Sequence, residues 1–269
     1  MPDDRTATVG VLRVTEAAST RHDDRLAVEE PLEIRVAWTA NGEAREKNIS
    51  VTMRTPGDDF DLAAGFLMTE GLVREAGDIA VIRHWSSPNV VRVELRDGVR
   101  LDASKLDRHF YTTSSCGVCG KTSIDALRVA AEPLQSAPPL DRAFVHQLPA
   151  ILERHQSAFR ETGGLHGAAV IRRSGELLCI REDIGRHNAV DKAVGALFRE
   201  DIAVSDAVLA VSSRAGFEIV QKTVMARIQV LATVGAPSTL AVDLARQFNL
   251  TLLGFVRDGR FNVYNGDVT

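Results

Sequence analysis

Cys116 and Cys119 stand three residues apart in Thr112-Thr-Ser-Ser-Cys-Gly-Val-Cys-Gly-Lys-Thr122, a stretch of small and hydroxyl-bearing residues. A thiol in such a segment has room to meet a macromolecular donor and then an acceptor. Three chemistries use a close thiol pair: zinc binding, dithiol redox exchange and sulfur transfer. Structural zinc needs four ligands, and no second close pair exists among the three cysteines. Cys179 is remote and reads as a core strand residue, and His109 would supply only a third ligand. A thioredoxin-like site wants its pair directly after a strand, whereas a long Ser/Thr stretch precedes this one. A zinc deaminase needs His-x-Glu with Pro-Cys-x-x-Cys, but Ser115 precedes Cys116 and no histidine is followed two residues later by glutamate. Nucleophilic sulfur chemistry remains. Thr122-x-x-Asp125 resembles a capping box, so the thiols lie just before a helix start, where the dipole and Lys121 favour thiolate.

A second group of residues suits anion binding. Ser212-Ser-Arg-Ala-Gly-Phe217 and Gly235-Ala-Pro-Ser-Thr239 each connect an expected strand to an expected helix. In open α/β sheets that edge binds ligands, and helix starts there present N–H groups to phosphate. Arg214 adds a fork for bidentate contact, and ordinary capping is the bland alternative. Asp183-Ile-Gly-Arg-His-Asn-Ala-Val-Asp-Lys192 is the densest polar cluster. It places His187 four residues before Asp191, a spacing that permits a bond between them. Gly163-Gly-Leu-His-Gly167 brings His166 to the same region. Glu218 and Lys222 read as a surface i,i+4 pair. Gly254-Phe-Val-Arg-Asp-Gly-Arg260 leaves the last strand through an Asp-Gly turn, with Arg257 and Arg260 placed to clasp a diphosphate and solvated strand ends as the plain alternative.

The elements that must position these groups fall into four stretches: a flexible lead-in at 1–30, a small α+β domain at 31–108, the cysteine loop with a short helix and linker at 109–140, and an α/β/α domain at 141–269. In the small domain the alternation predicts a hairpin from 33–38 and 48–53 around Asn41-Gly42, with polar residues lengthening the loop. A helix follows at 59–71 with Leu62, Ala63, Phe66 and Leu67 on one face, then strands at 79–84 and 90–95. The larger domain reads as a helix at 141–161, strands at 168–173 and 177–181, and a helix at 186–199. Strand 207–212, helix 217–231, strand 233–235, helix 239–248 and strand 250–256 complete it. Strands as apolar as Val208-Leu-Ala-Val211 require cover on both faces, which implies a three-layer sandwich.

Composition narrows the function classes. Apolar residues make up 45% and charged residues 25% of the 269, as in an ordinary globular protein. A formal net charge of −4 and 5% aromatic residues argue against a nucleic-acid binder. No run approaches the roughly 18 apolar residues of a membrane span, and the N-terminus lacks a signal-peptide layout. An odd cysteine count fits a reducing cytoplasm better than a disulfide framework.

Together these stretches resemble the FdhD family, sulfurtransferases required for formate dehydrogenase activity. The similar segments are Ser114 to Lys121, Gly164 to Ala168, Glu182 to Lys192, Ser212 to Glu218, Gly235 to Thr239 and Gly254 to Arg260. The resemblance runs from about residue 30 to the C-terminus. It implies a C-terminal fold like that of cytidine deaminases and a homodimer. It implies a cysteine desulfurase as sulfur donor and Cys116 as the persulfide carrier, with Cys119 as its companion. The acceptor it implies is the molybdenum or tungsten bis(molybdopterin guanine dinucleotide) cofactor destined for the catalytic subunit of formate dehydrogenase, with GDP as a surrogate ligand and no structural metal. Cofactor binding is then expected at Phe255, Val256, Arg257, Asp258, Gly259, Arg260, Ser212, Arg214, Ser238 and His187. The alternatives are a divergent zinc-dependent deaminase-like hydrolase and a non-catalytic cofactor chaperone.

Overall fold

A computed structural model describes residues 4–99, 101 and 131–269. Cys116 and Cys119, with His109, Lys121 and the capping box at Thr122, lie outside the described residues.

The element order is β1 (Thr6–Val14), β2 (Ser19–Ala27), β3 (Glu30–Ala40), β4 (Glu43–Arg54), α1 (Asp59–Thr69), a 3-10 turn (Ala76–Asp78), β5 (Ile79–Trp85) and β6 (Ser87–Leu95). After residue 131 come α2 (Arg142–His155), α3 (Ser157–Thr162), β7 (His166–Arg172), β8 (Leu177–Asp183) and α4 (Arg186–Arg199). β9 (Ala207–Val211), α5 (Phe217–Met225), β10 (Val230–Thr233), α6 (Thr239–Gln247), β11 (Thr251–Arg257) and β12 (Arg260–Asn265) complete the chain.

The larger sheet has the order β12-β11-β10-β9-β7-β8. Its three central strands are parallel, and the strands flanking them run antiparallel. Side chains alternate between its faces, as the two-residue period of a strand dictates. Ala168, Val170, Leu209, Val211, Leu231 and Leu252 pack with α4, α5 and α6. Ala169, Ile171, Val208, Ala210, Val230 and Leu253 pack with Phe144, Val145, Leu148 and Leu152 of α2. The all-apolar strands are therefore covered on both faces, in a helix–sheet–helix sandwich.

The smaller sheet, β4-β3-β6-β5, lays Leu32, Ile34, Val36, Ile49, Val91 and Val93 onto α1. The opposite side of α1 packs against α4, so this helix is buried between the small sheet and the large domain. Its burial extends beyond the single expected face to Ala64, Gly65 and Met68. One hydrophobic cluster thereby runs through both halves of the molecule.

Several expectations change. Thr6 to Ala27, read as a flexible lead-in, forms an antiparallel hairpin with unbroken register. Its base is tied down by Arg25 to Glu161 and by Arg5 to Ser157, contacts no local pattern announces. The β3–β4 turn is not lengthened. Asn41 and Gly42 alone make it, both at positive φ (55° and 78°), the geometry of a two-residue hairpin turn. The expected helix at 141–161 breaks at Gln156, which ends α2 and starts α3. The helix expected to reach 231 ends at Met225. Arg227 turns the chain at φ 60°, and 230–233 becomes the central strand β10.

Candidate functional site

The carboxyl ends of β9, β10 and β11 carry loops laced together by backbone hydrogen bonds. Gly235 N donates to Ser213 O at 3.1 Å, Ala215 N to Ala236 O at 3.2 Å, and Ser238 N to Ala215 O at 2.9 Å. Phe255 N donates to Gly235 O at 3.1 Å, which ties in the third strand end. Two glycines permit this closeness. A Cβ on Gly235 would stand 2.9 Å from Arg214 Cγ, and one on Gly254 would stand 2.8 Å from Pro237 Cδ. The two Gly/Ser connections that the sequence placed on adjacent strand ends are therefore in contact, one strand apart in a parallel sheet.

Ser212 lies between this edge and β7. Its Oγ accepts from Gly167 N at 2.9 Å, and its own N–H donates to Gly167 O at 3.0 Å. Ser238 caps α6 by accepting from Ala241 N at 3.2 Å. Both hydroxyl oxygens serve here as acceptors. The starts of α4 and α5, at Gly185 and Gly216, carry no side-chain cap, so their first-turn N–H groups are without one. Arg214 is exposed.

Beyond Phe255 the chain makes the expected Asp-Gly turn, with Asp258 at φ 53° and Gly259 at φ 69°. Arg257 and Arg260 face each other across it, both exposed. Phe255 itself has φ 54°, in the left-handed region, within a register shift between Gly254 and Arg257. A non-glycine residue held there is strained, and strain of this kind collects where a site must be shaped. The Arg257 guanidinium stands 5.9 Å from the Phe255 ring centre. Val256 is buried and anchors the strand to the α2 side of the core.

The Asp183 to Lys192 stretch divides into two roles. Most of it is structural. Asp183 and Lys192 are 0% and 1% exposed and pair at 2.8 Å. Asp183 also accepts from Thr55 N, Gly185 N and Asn188 Nδ2, while Lys192 donates to Thr55 O. Asn188 Nδ2 further donates to Met53 O at 2.7 Å. These bonds fasten the end of β4 to the start of α4. Every buried charge there is paired and hydrogen-bonded, as burial requires.

His187 does not pair with Asp191, contrary to the spacing argument. It bonds Glu218 across the two helix starts, with Nε2 to Oε2 at 2.6 Å. Asp191 turns inward to Lys222 at 2.8 Å and accepts from Thr69 Oγ1 at 2.8 Å. Lys222 is likewise no surface partner of Glu218, since it is buried and also reaches Thr69 Oγ1 and Glu70. The i,i+4 rule addresses one isolated helix, whereas α1 supplies partners on the third side. The hydrogen bond from His187, foremost, holds Glu218 below the usual carboxylate range. His166, in register with Asp183 at the start of β7, is pushed down chiefly by burial and then by Arg186 and His187. His166, Arg186, His187 and Glu218 thus form one cluster beside Ser212. Glu218 was missed as a site residue; its place in the first turn of a helix leaving the ligand edge was the available signal.

Cys179 is 8% exposed in β8. Burial, foremost, pushes its thiol up to about 11. No group of three or more His, Cys, Asp or Glu side chains suited to a metal occurs among the described residues.

The profile of the FdhD/NarQ family matches residues 27–268. The chain belongs to the FdhD/NarQ family. It is 49% identical over 268 residues to the sulfur carrier protein FdhD of Streptomyces coelicolor, covering 95% of this chain and 92% of that one. The sulfur carrier protein FdhD of Mycolicibacterium paratuberculosis is 45% identical, with 94% of each chain covered. A solved structure from Desulfotalea psychrophila, described as a formate dehydrogenase accessory protein, superposes with a TM-score of 0.76 over 97% of both chains. At 22% identity that likeness speaks for the shared fold. Among the described residues no helix is long and apolar enough to cross a membrane.

Proposed function

We propose that this chain is a sulfur carrier that accepts sulfur on Cys116 and delivers it to a large anionic, guanine-nucleotide-containing metal cofactor bound at the sheet edge. The Cys116 thiolate attacks the outer sulfur of a persulfide on a cysteine desulfurase, and the donor cysteine leaves as its own thiolate. Cys119 shields the new persulfide or releases a stalled one by forming a disulfide. The acceptor is the molybdenum or tungsten bis(molybdopterin guanine dinucleotide) cofactor, and the beneficiary is the catalytic subunit of formate dehydrogenase. The setting is the cytoplasm, the working unit is a homodimer, and the larger domain is related in fold to the cytidine deaminases.

The observation that carries this reading is the laced strand-end edge in a chain of the FdhD/NarQ family. Phosphates need N–H donors, hydroxyl donors and guanidinium forks. Ser212, Arg214, Ser238, Arg257 and Arg260 offer these around two uncapped helix starts. Phe255, Val256, Asp258 and Gly259 shape the hairpin that presents the last two arginines, and His187 stands at the rim. GDP serves as the surrogate ligand.

The experiment is a pair of substitutions that separate binding from sulfur chemistry. Cys116→Ala is expected to abolish formate dehydrogenase maturation while GDP binding persists. Full maturation by Cys116→Ala would refute the sulfur-carrier role, because a non-catalytic chaperone alone would survive that change.

A further inference from the structure

Glu218 and His187 lie on different helices and meet at 2.6 Å, at the edge where α4 and α5 both begin. The carboxylate can only accept, and its oxygen lies against Nε2, so the ring proton is fixed on Nε2. Nδ1 is then the one polar ring atom left for a ligand. In a neutral imidazole that atom accepts and does not donate. The titratable and charged groups around the pair are Arg186 on α4, His166 on β7, Asp183 on β8 and Lys222 on α5. Asp183 and Lys222 are committed to buried partners, Lys192 and Asp191. Neither competes for the imidazole.

A phosphate oxygen also only accepts, so it has nothing to give Nδ1. A ligand N–H or hydroxyl does. We propose that Glu218 is a positioning residue that makes His187 a hydrogen-bond acceptor, so that this corner of the edge selects a donor group on the ligand's heterocycle or ribose while the arginines hold its phosphates. This rests on the sheet edge being the site of a nucleotide-containing ligand. It separates two tasks at one edge: charge neutralisation along Arg214, Arg257 and Arg260, and donor recognition at His187. Replacing Glu218 by glutamine lets either an amide N–H or the amide oxygen face Nε2, so the ring proton is no longer fixed there and Nδ1 is no longer held as an acceptor.

The test compares GDP with inorganic pyrophosphate by titration calorimetry at about pH 8. Glu218→Gln and His187→Gln are each expected to weaken GDP about tenfold, the worth of one good hydrogen bond, and the double substitution no further. Pyrophosphate affinity is expected to stay within about twofold in all three, because it has neither heterocycle nor ribose to reach His187. Parallel loss of both ligands would overturn the proposal, since His187 would then serve the phosphates or only the fold. Unchanged GDP affinity in Glu218→Gln would overturn it as well. If the unsubstituted protein binds neither ligand, the nucleotide-edge reading fails and this inference with it. Should Glu218→Gln not yield folded protein, the ring nitrogen resonances of His187 in the unsubstituted chain decide. A proton on Nε2 is expected, and one on Nδ1 with Nε2 bare contradicts the assignment.

Discussion

Gly65 of α1 and Gly195 of α4 meet backbone to backbone. A Cβ on Gly65 would overlap the Asp191 carbonyl oxygen, and one on Gly195 would overlap that of Asp61 and lie 2.6 Å from Gly65 N. Backbone atoms cannot swing aside as a long side chain can. Gly195→Ala must therefore push the helices apart and disturb the pairings of Asp61 with Arg199 and of Asp191 with Thr69, which bridge the same two helices. A loss of about 3 kcal/mol is expected, at the upper end for overpacking. Urea unfolding at unchanged m measures it, and a loss below about 1 kcal/mol would show that the helix contact has slack.

Lys222 is the charged centre of the joint between α1, α4 and α5. Burial works against its ammonium, but Asp191 and then Glu70 outweigh that and hold it above the ordinary lysine range. A folded-state value above the unfolded one means the stabilisation is complete below the unfolded value and drains away as pH rises past it. Stability is therefore expected to decline above about pH 10.4, the unfolded lysine value. Lys222→Met removes this component and strands Asp191, at a cost of about 3–5 kcal/mol at neutral pH. Thermal unfolding of both proteins from neutral to alkaline pH shows whether the alkaline slope shrinks in the variant.

Cys179 is expected to be inert in the native state. Burial pushes its thiol up to about 11, and the side chain lies within β8 in the core cluster. Thiolate is the reactive form, so burial and protonation act together. Iodoacetamide at about pH 8 should modify Cys179 at least about a hundredfold more slowly than a free cysteine peptide, whose thiol sits near 8.5. Unfolding with urea should restore the rate. Rapid native labelling of Cys179, mapped by peptide mass, would contradict its placement.

The exposed arginines of the β11–β12 turn give a binding expectation. Arg257→Ala combined with Arg260→Ala should weaken GDP by about a hundredfold, two charge-assisted contacts at roughly tenfold each. The β11–β12 turn that carries them is held by Asp258 and Gly259 rather than by the guanidinium groups, so the fold should be undisturbed. Isothermal titration of the double variant checks this, and unaltered affinity would remove the hairpin from the site.

Much of this arrangement was legible in the sequence, and the reasons differ by element. β9 was readable because four consecutive apolar residues need two covered faces. The α4 boundaries at Arg186 and Arg199 followed from amphipathic spacing after a glycine. β10 was swallowed by the helix before it, because Val230 and Leu231 continue that helix's apolar rhythm and only Arg227 at positive φ breaks it. The His187, Asp191, Glu218 and Lys222 partners were misassigned for one shared reason. Spacing along a helix says which residues are neighbours on that helix, and it is silent about a third helix arriving from another part of the chain. β12 went unseen because its alternation is weak and its outward side is exposed. The cysteine pair was identified by residue type and by the exclusion of metal and dithiol chemistry, and it lies outside the described residues.

The sulfur-carrier account is tested most directly by mass. The purified chain, incubated with a cysteine desulfurase and cysteine and then digested, is expected to carry one additional sulfur, about 32 Da, on the peptide containing Cys116. That mass should vanish on reduction and be absent from Cys116→Ala. An unmodified Cys116 peptide under conditions that charge the desulfurase itself, or added sulfur found only on Cys179, would contradict the account.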